Sequence, residues 1–534
     1  MTPDYQALLQ AGFKAFSAGR LDEAGRIADD ALARMSGEPN ALHLKAAALF
    51  AADRAGEAKP FAERASAAMA GNPHAANLLG LILRRLGERE AARAAFDRAA
   101  GWAPGWHEPA FNRARLANEA GDPEAAIADL RRALEIKPGD APAQALLASL
   151  LLARGETGEA KALAEAALAA DPHDLIAARV LARLDFDAGE RDDAASRLEA
   201  ALDRSPDRGA NRSIALGLLG DVRDAGGDVA AAYAAWSEAN ALLAERHAEL
   251  ETTPGPYALA TAERLAEIHD GLSPQPAAPA GEGPVPAFIV GFPRSGTTLL
   301  EQVLDAHPGV RTTDEAPLLS PIIEAAGGAE PDPAWFASLD AAERNRLRAA
   351  YWDAAGGPPE PGVLLVDKLP LNLIWLGAIA AVFPEAKIIL ALRDPRDCVL
   401  SAFRQRFGMN PAMYRMLTIE GAAAYYDAAM RAGEAARSAF PDLAVLEHRY
   451  EDMVGDLEGR ARAALDHLGV GWHDDVAAYR DRLKAKHIST PSATQVKKPV
   501  YATSVAKWRD YDFALDPVRP VLDPWAERWG YEAS

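Results

Sequence analysis

The chain has 534 residues, of which 49 % are hydrophobic and 25 % charged, and its formal net charge is −20. This length provides for more than one domain with sizeable cores, and the composition is that of an ordinary soluble protein. A chain this acidic is a poor candidate for wrapping nucleic acid or lying on anionic lipid. A single cysteine, Cys398, excludes an intrachain disulfide and a cysteine-rich zinc site.

The N-terminal residues lack the pattern of a targeting segment. The stretch MTPDYQALLQAGFKAF has no basic start followed by an apolar core. No run in the chain approaches the ~18–20 apolar residues of a membrane span. We therefore expect a cytoplasmic protein that has neither a nucleic-acid partner nor a membrane partner.

Residues 3 to 245 repeat a pattern of helix, turn, helix and break. Glycine permits the reversal between two helices, and proline ends the second helix. Gly56 is followed by Pro73 after 17 positions, but Gly87 then comes three residues early, which predicts one shortened loop. The regular positions recur with a step of 34 residues: Gly87, Gly121, Gly155 and Gly189, and Pro104, Pro138, Pro172 and Pro206.

This period resembles that of tetratricopeptide repeats, which is ~34 residues. The resemblance covers about six or seven repeats and implies an all-α solenoid over residues 1–245, with irregular repeats at its ends. Two roles stay open for such an array. It is either a scaffold or oligomerisation surface without chemistry, or a concave face that recruits a protein or peptide.

Residues 246–285 connect this array to the rest of the chain. The segment 246–272 predicts one more helix that caps the array. The stretch SPQPAAPAGEGPVP at 273–286 has no hydrophobic period, and its prolines indicate a semi-stiff linker.

After residue 286 the pattern changes to short apolar runs separated by stretches of helical period. Buried parallel strands that alternate with helices predict an α/β domain over 286–534 with a parallel sheet. Ligands of such sheets bind at the carboxyl ends of the strands. The predicted strands are AFIVG (287–291), VLLVD (363–367), KIILAL (387–392) and LAVLEH (443–448).

The first of these strands is followed by a turn of the phosphate-loop kind. Gly291 and Gly296 keep the G-x-x-x-x-G spacing, but Thr297 and Thr298 stand where a nucleotide hydrolase has Lys and Ser/Thr. Backbone N–H groups at the start of the next helix still suit an anion, and Arg294 adds positive charge. Triphosphate hydrolysis is therefore disfavoured, and the turn indicates a site for another anion.

A second candidate anion site follows the strand at 387–392. In IILALRDPRDCVLSAF, Arg393 lies at the strand end and Ser401 eight residues further on, about two helical turns away. Both can face a second phosphate beside the first loop. The alternative is that Arg393 pairs with Asp394 or Asp397.

Together these stretches resemble the 5′-phosphosulfate loop and the 3′-phosphate site of the sulfotransferases, which use 3′-phosphoadenosine 5′-phosphosulfate (PAPS). Within that superfamily the pattern is similar to that of the tyrosylprotein sulfotransferases and their bacterial relatives. PRSGTTLLEQVLDAHPGVRTTDE at 293–315 carries it, and the likeness covers most of residues 286 to 510. It implies an α/β, P-loop-like sulfotransferase domain with a parallel sheet, PAPS as co-substrate and no metal.

The resemblance also implies roles for individual residues that bind the donor. Two residues belong to the 3′-phosphate site, namely Arg393 and Ser401. Tyr450 lies beside the nucleotide, and Lys498, in the late basic strip, reaches the donor's phosphates. The 5′-phosphosulfate is contacted by Arg294, Ser295, Gly296, Thr297 and Thr298.

Three residues carry the catalytic roles that the resemblance implies. Glu315 falls at the catalytic glutamate and removes the proton of the acceptor hydroxyl; Asp314 is its neighbouring rival. Arg294 steadies the transferring group, and Lys368 stabilises charge on the leaving oxygen.

Weaker candidates surround this set. His307 is expected to have a capping or core role, Trp508 to be packing, and segment 325–360 to contribute to an acceptor lid. The further candidates for the cleft and the donor clamp are Asn372, Arg404 or Gln405, Ser489, Ser492 and Lys497.

The acceptor stays open. The tyrosylprotein enzymes use arginines shortly after the catalytic glutamate to bind acidic peptide, whereas EAPLLSPIIEAAGG follows here. This departure argues against an acidic tyrosine peptide. The expected acceptor is a tyrosine or another hydroxyl on a protein or small molecule. The alternatives to a sulfotransferase are a P-loop kinase and a non-catalytic repeat scaffold with a relic nucleotide-binding domain.

Overall fold

The computed structural model describes residues 3–275, 281–480 and 505–532. It consists of two compact units, one ending at Gly226 and one beginning at Gly227. None of the helices in the described ranges is long and apolar enough to cross a membrane.

The described part of the first unit is built of thirteen α-helices, which form six consecutive pairs and one further helix. Their bounds are α1 (Pro3–Ser17), α2 (Leu21–Arg34), α3 (Pro39–Ala51), α4 (Ala55–Ala68), α5 (Pro73–Arg85), α6 (Arg89–Trp102), α7 (Glu108–Glu119), α8 (Pro123–Ile136), α9 (Ala141–Ala153), α10 (Thr157–Ala170), α11 (Leu175–Asp187), α12 (Arg191–Arg204) and α13 (Ala210–Ala225).

Alanine allows the paired helices to pack closely. In α2 the fully buried residues are Ala24, Ala28 and Ala31, and the second helices α4 and α10 have alanine at the same spacing. Positions i, i+4 and i+7 lie on one face of a helix. Because their side chains are small, the helix axes can approach to the short end of the usual ~8–10 Å range.

The turn inside each pair needs one residue in the left-handed region. Asp53, with φ 59°, takes this place in the second pair, and Gly56 lies inside α4. Aspartate is among the few residues that adopt this conformation. The prediction of a shortened loop before Gly87 is therefore wrong, because the 34-residue step runs unbroken through Asp53. The other turns have glycine with φ between 73° and 91°: Gly19, Gly87, Gly121, Gly155 and Gly189.

The second unit contains a five-stranded sheet in which all neighbouring strands are parallel, as the α/β prediction requires. The strand order is β2-β3-β1-β4-β5. The strand β2 was not predicted, because it has only three residues. The bounds are β1 (Ala287–Gly291), β2 (Val310–Thr312), β3 (Leu364–Lys368), β4 (Lys387–Leu392) and β5 (Ala444–Arg449).

Helices cover both faces of this sheet. The described α-helices are α14 (Val229–Arg246), α15 (Leu259–Asp270), α16 (Thr297–Asp305), α17 (Ser320–Ala325), α18 (Pro333–Ser338), α19 (Ala341–Ala354), α20 (Leu376–Val382), α21 (Pro395–Phe403), α22 (Pro411–Arg415), α23 (Ile419–Ala439), α24 (Tyr450–Gly455), α25 (Leu457–Leu468), α26 (Asp512–Leu515) and α27 (Arg519–Arg528). Short 3₁₀ helices span Ala248–Glu251, Pro370–Trp375, Asp474–Val476, Lys507–Tyr511 and Asp516–Val518.

The central strand β1 shows how the two cores are divided. Phe288 and Val290 belong to the large core that includes α23, whereas Ala287 and Ile289 belong to the core formed with α16 and α25. Successive side chains of a strand point to opposite faces, so a strand buried on both sides is a continuous apolar run. Packing on both faces holds the sheet in place. The loops at the carboxyl ends of its strands carry the predicted site residues.

Three segments that we predicted to lie in the array, in its capping helix or in a lid belong to the large core of the second unit. Trp236 of α14 and Leu265 of α15 are buried in the large core of the second unit, although the sequence assigned them to the array and its cap. In the segment expected to contribute to a lid, Tyr351 and Trp352 of α19 are buried in the same core. These large apolar side chains bury much of their surface in the core of the second unit, and this burial stabilises their position there.

Candidate active site

The loop between β1 and α16 approaches its neighbours so closely that two positions need glycine. A Cβ atom on Gly296, which has φ 94°, would lie 2.5 Å from Cδ2 of Tyr450. One on Gly291 would lie 2.5 Å from the carbonyl oxygen of Ala391. The loop also buries Ser295, whose Oγ has no hydrogen-bond partner among the described residues. A buried hydroxyl of this kind at a helix start suits a bound anion.

Arg294 joins the two candidate anion sites. Its Nε donates to Oγ of Ser401 at 3.1 Å, and its carbonyl oxygen accepts from Nη1 of Arg393 at 3.1 Å. Burial, together with the nearby cations Arg393 and Arg404, lowers the pKa of Arg294 to about 10. A bound anion would relieve the repulsion among these cations.

Arg393 extends from the end of β4 and lies among several partners. Its guanidinium lies 5.0 Å from the centre of the Tyr450 ring. The predicted alternative, an ion pair of Arg393 with Asp394 or Asp397, is present as a long contact: Nη2 of Arg393 lies 3.7 Å from Oδ2 of Asp397. Asp394 instead pairs with Arg396 at 2.8 Å. Arg393 thus lies at the carboxyl edge of the sheet, where its guanidinium group is suited to a phosphate.

Asp397 ties this region to the C-terminal segment. Its two carboxylate oxygens each accept one backbone N–H at 2.8 Å, from Ala506 and from Trp508. Burial raises the pKa of Asp397 to about 6, against the effect of Arg393. Trp508 is buried and lies 3.9 Å from the guanidinium of Arg396, which fits the packing role that was expected for it.

The pair Lys368 and Glu315 lies at the end of β3. Nζ of the fully buried Lys368 donates to Oε1 of Glu315 at 2.8 Å. The backbone N–H of Glu315 donates to the carbonyl oxygen of Lys368 at 3.0 Å. Glu315 has φ 63° and its side chain is 32 % exposed. A strained residue with a partly exposed carboxylate is typical of a functional site.

Glu301 is a third charged member of this cluster that the sequence interpretation missed. It lies in α16, is fully buried, and its Oε2 contacts Nζ of Lys368 at 3.1 Å. Burial raises the pKa of Glu301, against the effect of Lys368. The signal was present in TTLLEQVLD, where a glutamate lies among the apolar residues of a buried helix.

The weaker candidates have other partners. Oδ1 of the buried Asn372 accepts from the hydroxyl of Tyr257 at 2.7 Å. The guanidinium of Arg404 lies 4.5 Å from the Trp236 ring. Nδ1 of His307 accepts the backbone N–H of Gly309 at 2.9 Å, a contact within the turn after α16.

The remaining candidates differ in what the structure says of them. Gln405 contacts the carbonyl of Arg406, whereas Thr297 and Thr298 are buried at the start of α16. The described ranges contain no group of three or more His, Cys, Asp or Glu that could hold a metal ion. Four predicted residues lie outside the described residues: Lys498, Lys497, Ser489 and Ser492.

Comparison with known proteins shows which family the second unit resembles. The model of a family described as "Sulfotransferase family" matches residues 286–474. Protein-tyrosine sulfotransferase 1 of Danio rerio is 31 % identical over 261 residues, which are 46 % of this chain and 72 % of that protein. The chain belongs to the sulfotransferase family. The matched sulfotransferase region contains Arg294, Glu315, Lys368, Arg393 and Ser401.

The matches to other relatives cover different shares of those proteins' own length. An uncharacterized protein of Aquifex aeolicus is 32 % identical over 250 residues, which are 44 % of this chain but only 32 % of that protein. Protein-tyrosine sulfotransferase A of Caenorhabditis elegans is 27 % identical over 263 residues, 46 % of this chain and 67 % of that protein.

The first unit of the chain has matches of its own. Models of the tetratricopeptide repeat match residues 73–105, 117–184 and 151–219, which confirms the predicted repeats. A solved tetratricopeptide repeat protein from Parabacteroides merdae is similar with a TM-score of 0.36 and 19 % identity, over 45 % of this chain and 94 % of that one.

Proposed function

We propose that the second unit transfers a sulfuryl group from PAPS to the hydroxyl of an acceptor, in the cytoplasm. One observation carries the proposal. A cation cluster formed by Arg294 and Arg393 stands at the ends of β1 and β4. The Glu315–Lys368 pair stands at the end of β3, which is hydrogen-bonded to β1. Binding groups and a base thus share one edge of the sheet.

The residues present fit this donor. The buried hydroxyl of Ser295 and the close approach at Gly296 suit a 5′-phosphosulfate held by the start of α16. Arg393 and Ser401 suit the 3′-phosphate, which distinguishes PAPS from ATP. Tyr450, which touches both the loop and Arg393, suits the nucleotide.

The chain's own residues supply what the transfer needs. Glu315 takes the proton of the acceptor hydroxyl while the oxygen of that hydroxyl forms a bond to sulfur. The bond between sulfur and the 5′-phosphate oxygen breaks, and its electron pair leaves with 3′-phosphoadenosine 5′-phosphate. Arg294 and Lys368 offset the charge that develops on that oxygen.

The proposal includes a role for the repeat array in binding a partner. Stacked repeats form extended concave surfaces that bind proteins or peptides. We assign the array the recruitment of the acceptor or of a partner protein, and the acceptor itself is a tyrosine or another hydroxyl.

The test uses the full-length protein, PAPS labelled on sulfur, and two phenolic probes, 2-naphthol and N-acetyltyrosinamide. Glu315→Gln is expected to lower label transfer by about 10²–10⁴-fold, the usual contribution of a general base. Affinity for 3′-phosphoadenosine 5′-phosphate should stay within about twofold, since Glu315 touches Lys368 rather than the cation cluster. The matched control is Glu324→Gln, an exposed glutamate of α17. Full transfer by Glu315→Gln would contradict the assignment.

A further inference from the structure

Lys368 is shared by two carboxylates that differ in exposure. It donates its hydrogen bond to Glu315 at 2.8 Å and contacts Glu301 at 3.1 Å. Lys368 and Glu301 are both fully buried, whereas Glu315 is one-third exposed. The lysine therefore links an interior carboxylate to a partly exposed one.

This arrangement conflicts with the role of Glu315 as it stands. A carboxylate that accepts a hydrogen bond from an ammonium group is a weak base, because the cation stabilises its charged form. The ammonium group is also needed elsewhere, at the oxygen on which charge develops. Both needs are met if Lys368 turns away from Glu315 when the donor binds.

Glu301 makes such a turn feasible. A buried ammonium group that loses its partner is strongly disfavoured, since charges inside a protein need compensation. Glu301 remains as a partner while Lys368 leaves Glu315. Resting on the proposed sulfuryl transfer, we propose that Glu301 is a positioning residue that keeps Lys368 charged and in place, so that Glu315 is released as the base.

The surroundings of Glu301 support this role. The charged groups that face it are Lys368 on β3 and Asp314 after β2, whose backbone N–H donates to Oε1 at 3.1 Å. On its other sides α25 and the turn Asp474–Val476 pack against α16 through apolar side chains such as Leu465 and Val476. Asp367, which precedes Lys368, bonds instead to Tyr351. Glu301 thus acts on the site through Lys368.

The experiment compares Glu301→Gln with the full-length wild type and the exposed control Glu324→Gln. Sulfuryl transfer from labelled PAPS to 2-naphthol is followed against pH, with hydrolysis of PAPS measured in place of transfer if the phenol is not used. In Glu301→Gln, Lys368 pairs with Glu315 as its one charged partner in this cluster. The negative charge of Glu301, which repels that of Glu315, is absent. Both effects favour the charged form of the base, so we expect the acid limb of kcat/KM to move to lower pH and kcat to fall by about tenfold or more.

A second readout does not depend on turnover. Calorimetric titration with 3′-phosphoadenosine 5′-phosphate should give an affinity within about twofold of wild type. An unmoved acid limb, or a loss of product affinity in proportion to the loss of rate, would overturn the inference. If wild type binds ATP in preference to the bisphosphate, the proposed function fails instead, which is a different outcome.

A shorter carboxylate covers the case in which Glu301→Gln does not fold. Glu301→Asp keeps the charge but withdraws it by one methylene. We expect an acid limb close to that of wild type, unchanged product affinity and a kcat lowered by about threefold to tenfold. Wild-type kcat in Glu301→Asp would show that the position of the charge is unimportant and would overturn the proposal.

Discussion

Asp367 makes the stability of the second unit depend on pH. It lies in β3, is fully buried, and accepts a hydrogen bond from the hydroxyl of Tyr351 at 3.1 Å. Burial raises the pKa of Asp367 to about 7 from an ordinary value of 3.8, against the effects of Tyr351 and Lys368. The folded state therefore holds this proton at pH values where the unfolded chain has lost it.

The sign and size follow from this difference. Because the folded pKa is raised, the stabilisation is complete below about pH 4 and is lost as pH rises towards about 7. A shift of ~3 units corresponds to ~4 kcal/mol, at ~1.4 kcal/mol per pH unit inside the window. From about pH 5 to about pH 8, Asp367→Asn, which carries no charge, should gain ~3 kcal/mol in free energy of unfolding relative to wild type.

Urea unfolding followed by tryptophan fluorescence measures this effect. Eight of the ten tryptophans follow Gly227, so the signal reports mainly on the second unit. The control is Asp353→Asn, an exposed position in the same helix as Tyr351. Curves of wild type and Asp367→Asn that stay parallel over the whole range would refute the assignment of a neutral buried carboxyl.

Three further predictions test other parts of the structure. Gly296→Ala should abolish measurable binding of 3′-phosphoadenosine 5′-phosphate in calorimetry, because a Cβ atom there meets Tyr450 at 2.5 Å in a left-handed conformation; unchanged affinity would contradict the close approach. Ser401→Ala should weaken the same binding by about threefold to tenfold with little effect on 5′-AMP, since one hydrogen-bonding group is lost; equal losses for both ligands would contradict the assignment. In the array, Gly87→Ala should cost ~1 kcal/mol in free energy of unfolding, whereas Gly56→Ala should gain ~0.5–1 kcal/mol because Gly56 lies inside a helix; the reverse order would contradict the register through Asp53.

Much of the fold was predictable because it rests on regular spacing. Each of the four long strands contains a short apolar run, and the turn glycines recur with a strict step. The residue Asp53 concealed one turn, since the left-handed position there is filled by a residue that is common everywhere. The strand β2 was missed because three residues, one of them the exposed Arg311, give no periodicity.

The site was predicted in part for a similar reason. Arg294 and Glu315 stand in loops and Lys368 at the end of β3, at positions that the sequence marks by spacing. The structure brings Glu315 to Lys368 and Arg294 to Ser401. The partner Glu301 was missed, because which buried carboxylate meets a buried lysine depends on tertiary packing. The place of α14 was also beyond the sequence, since its helical period is equally compatible with either unit.

We propose above that the cation cluster binds a nucleotide with a 3′-phosphate. Calorimetric titration of the full-length protein with 3′-phosphoadenosine 5′-phosphate, 5′-AMP and ATP tests this binding, in wild type, Arg393→Ala and the exposed control Arg346→Ala. We predict that the bisphosphate binds most tightly and that Arg393→Ala weakens it by about 10–100-fold, the size of a lost hydrogen bond between charged groups, with 5′-AMP little affected. Equal or tighter binding of ATP, or a bisphosphate affinity that Arg393→Ala leaves unchanged, would contradict the account.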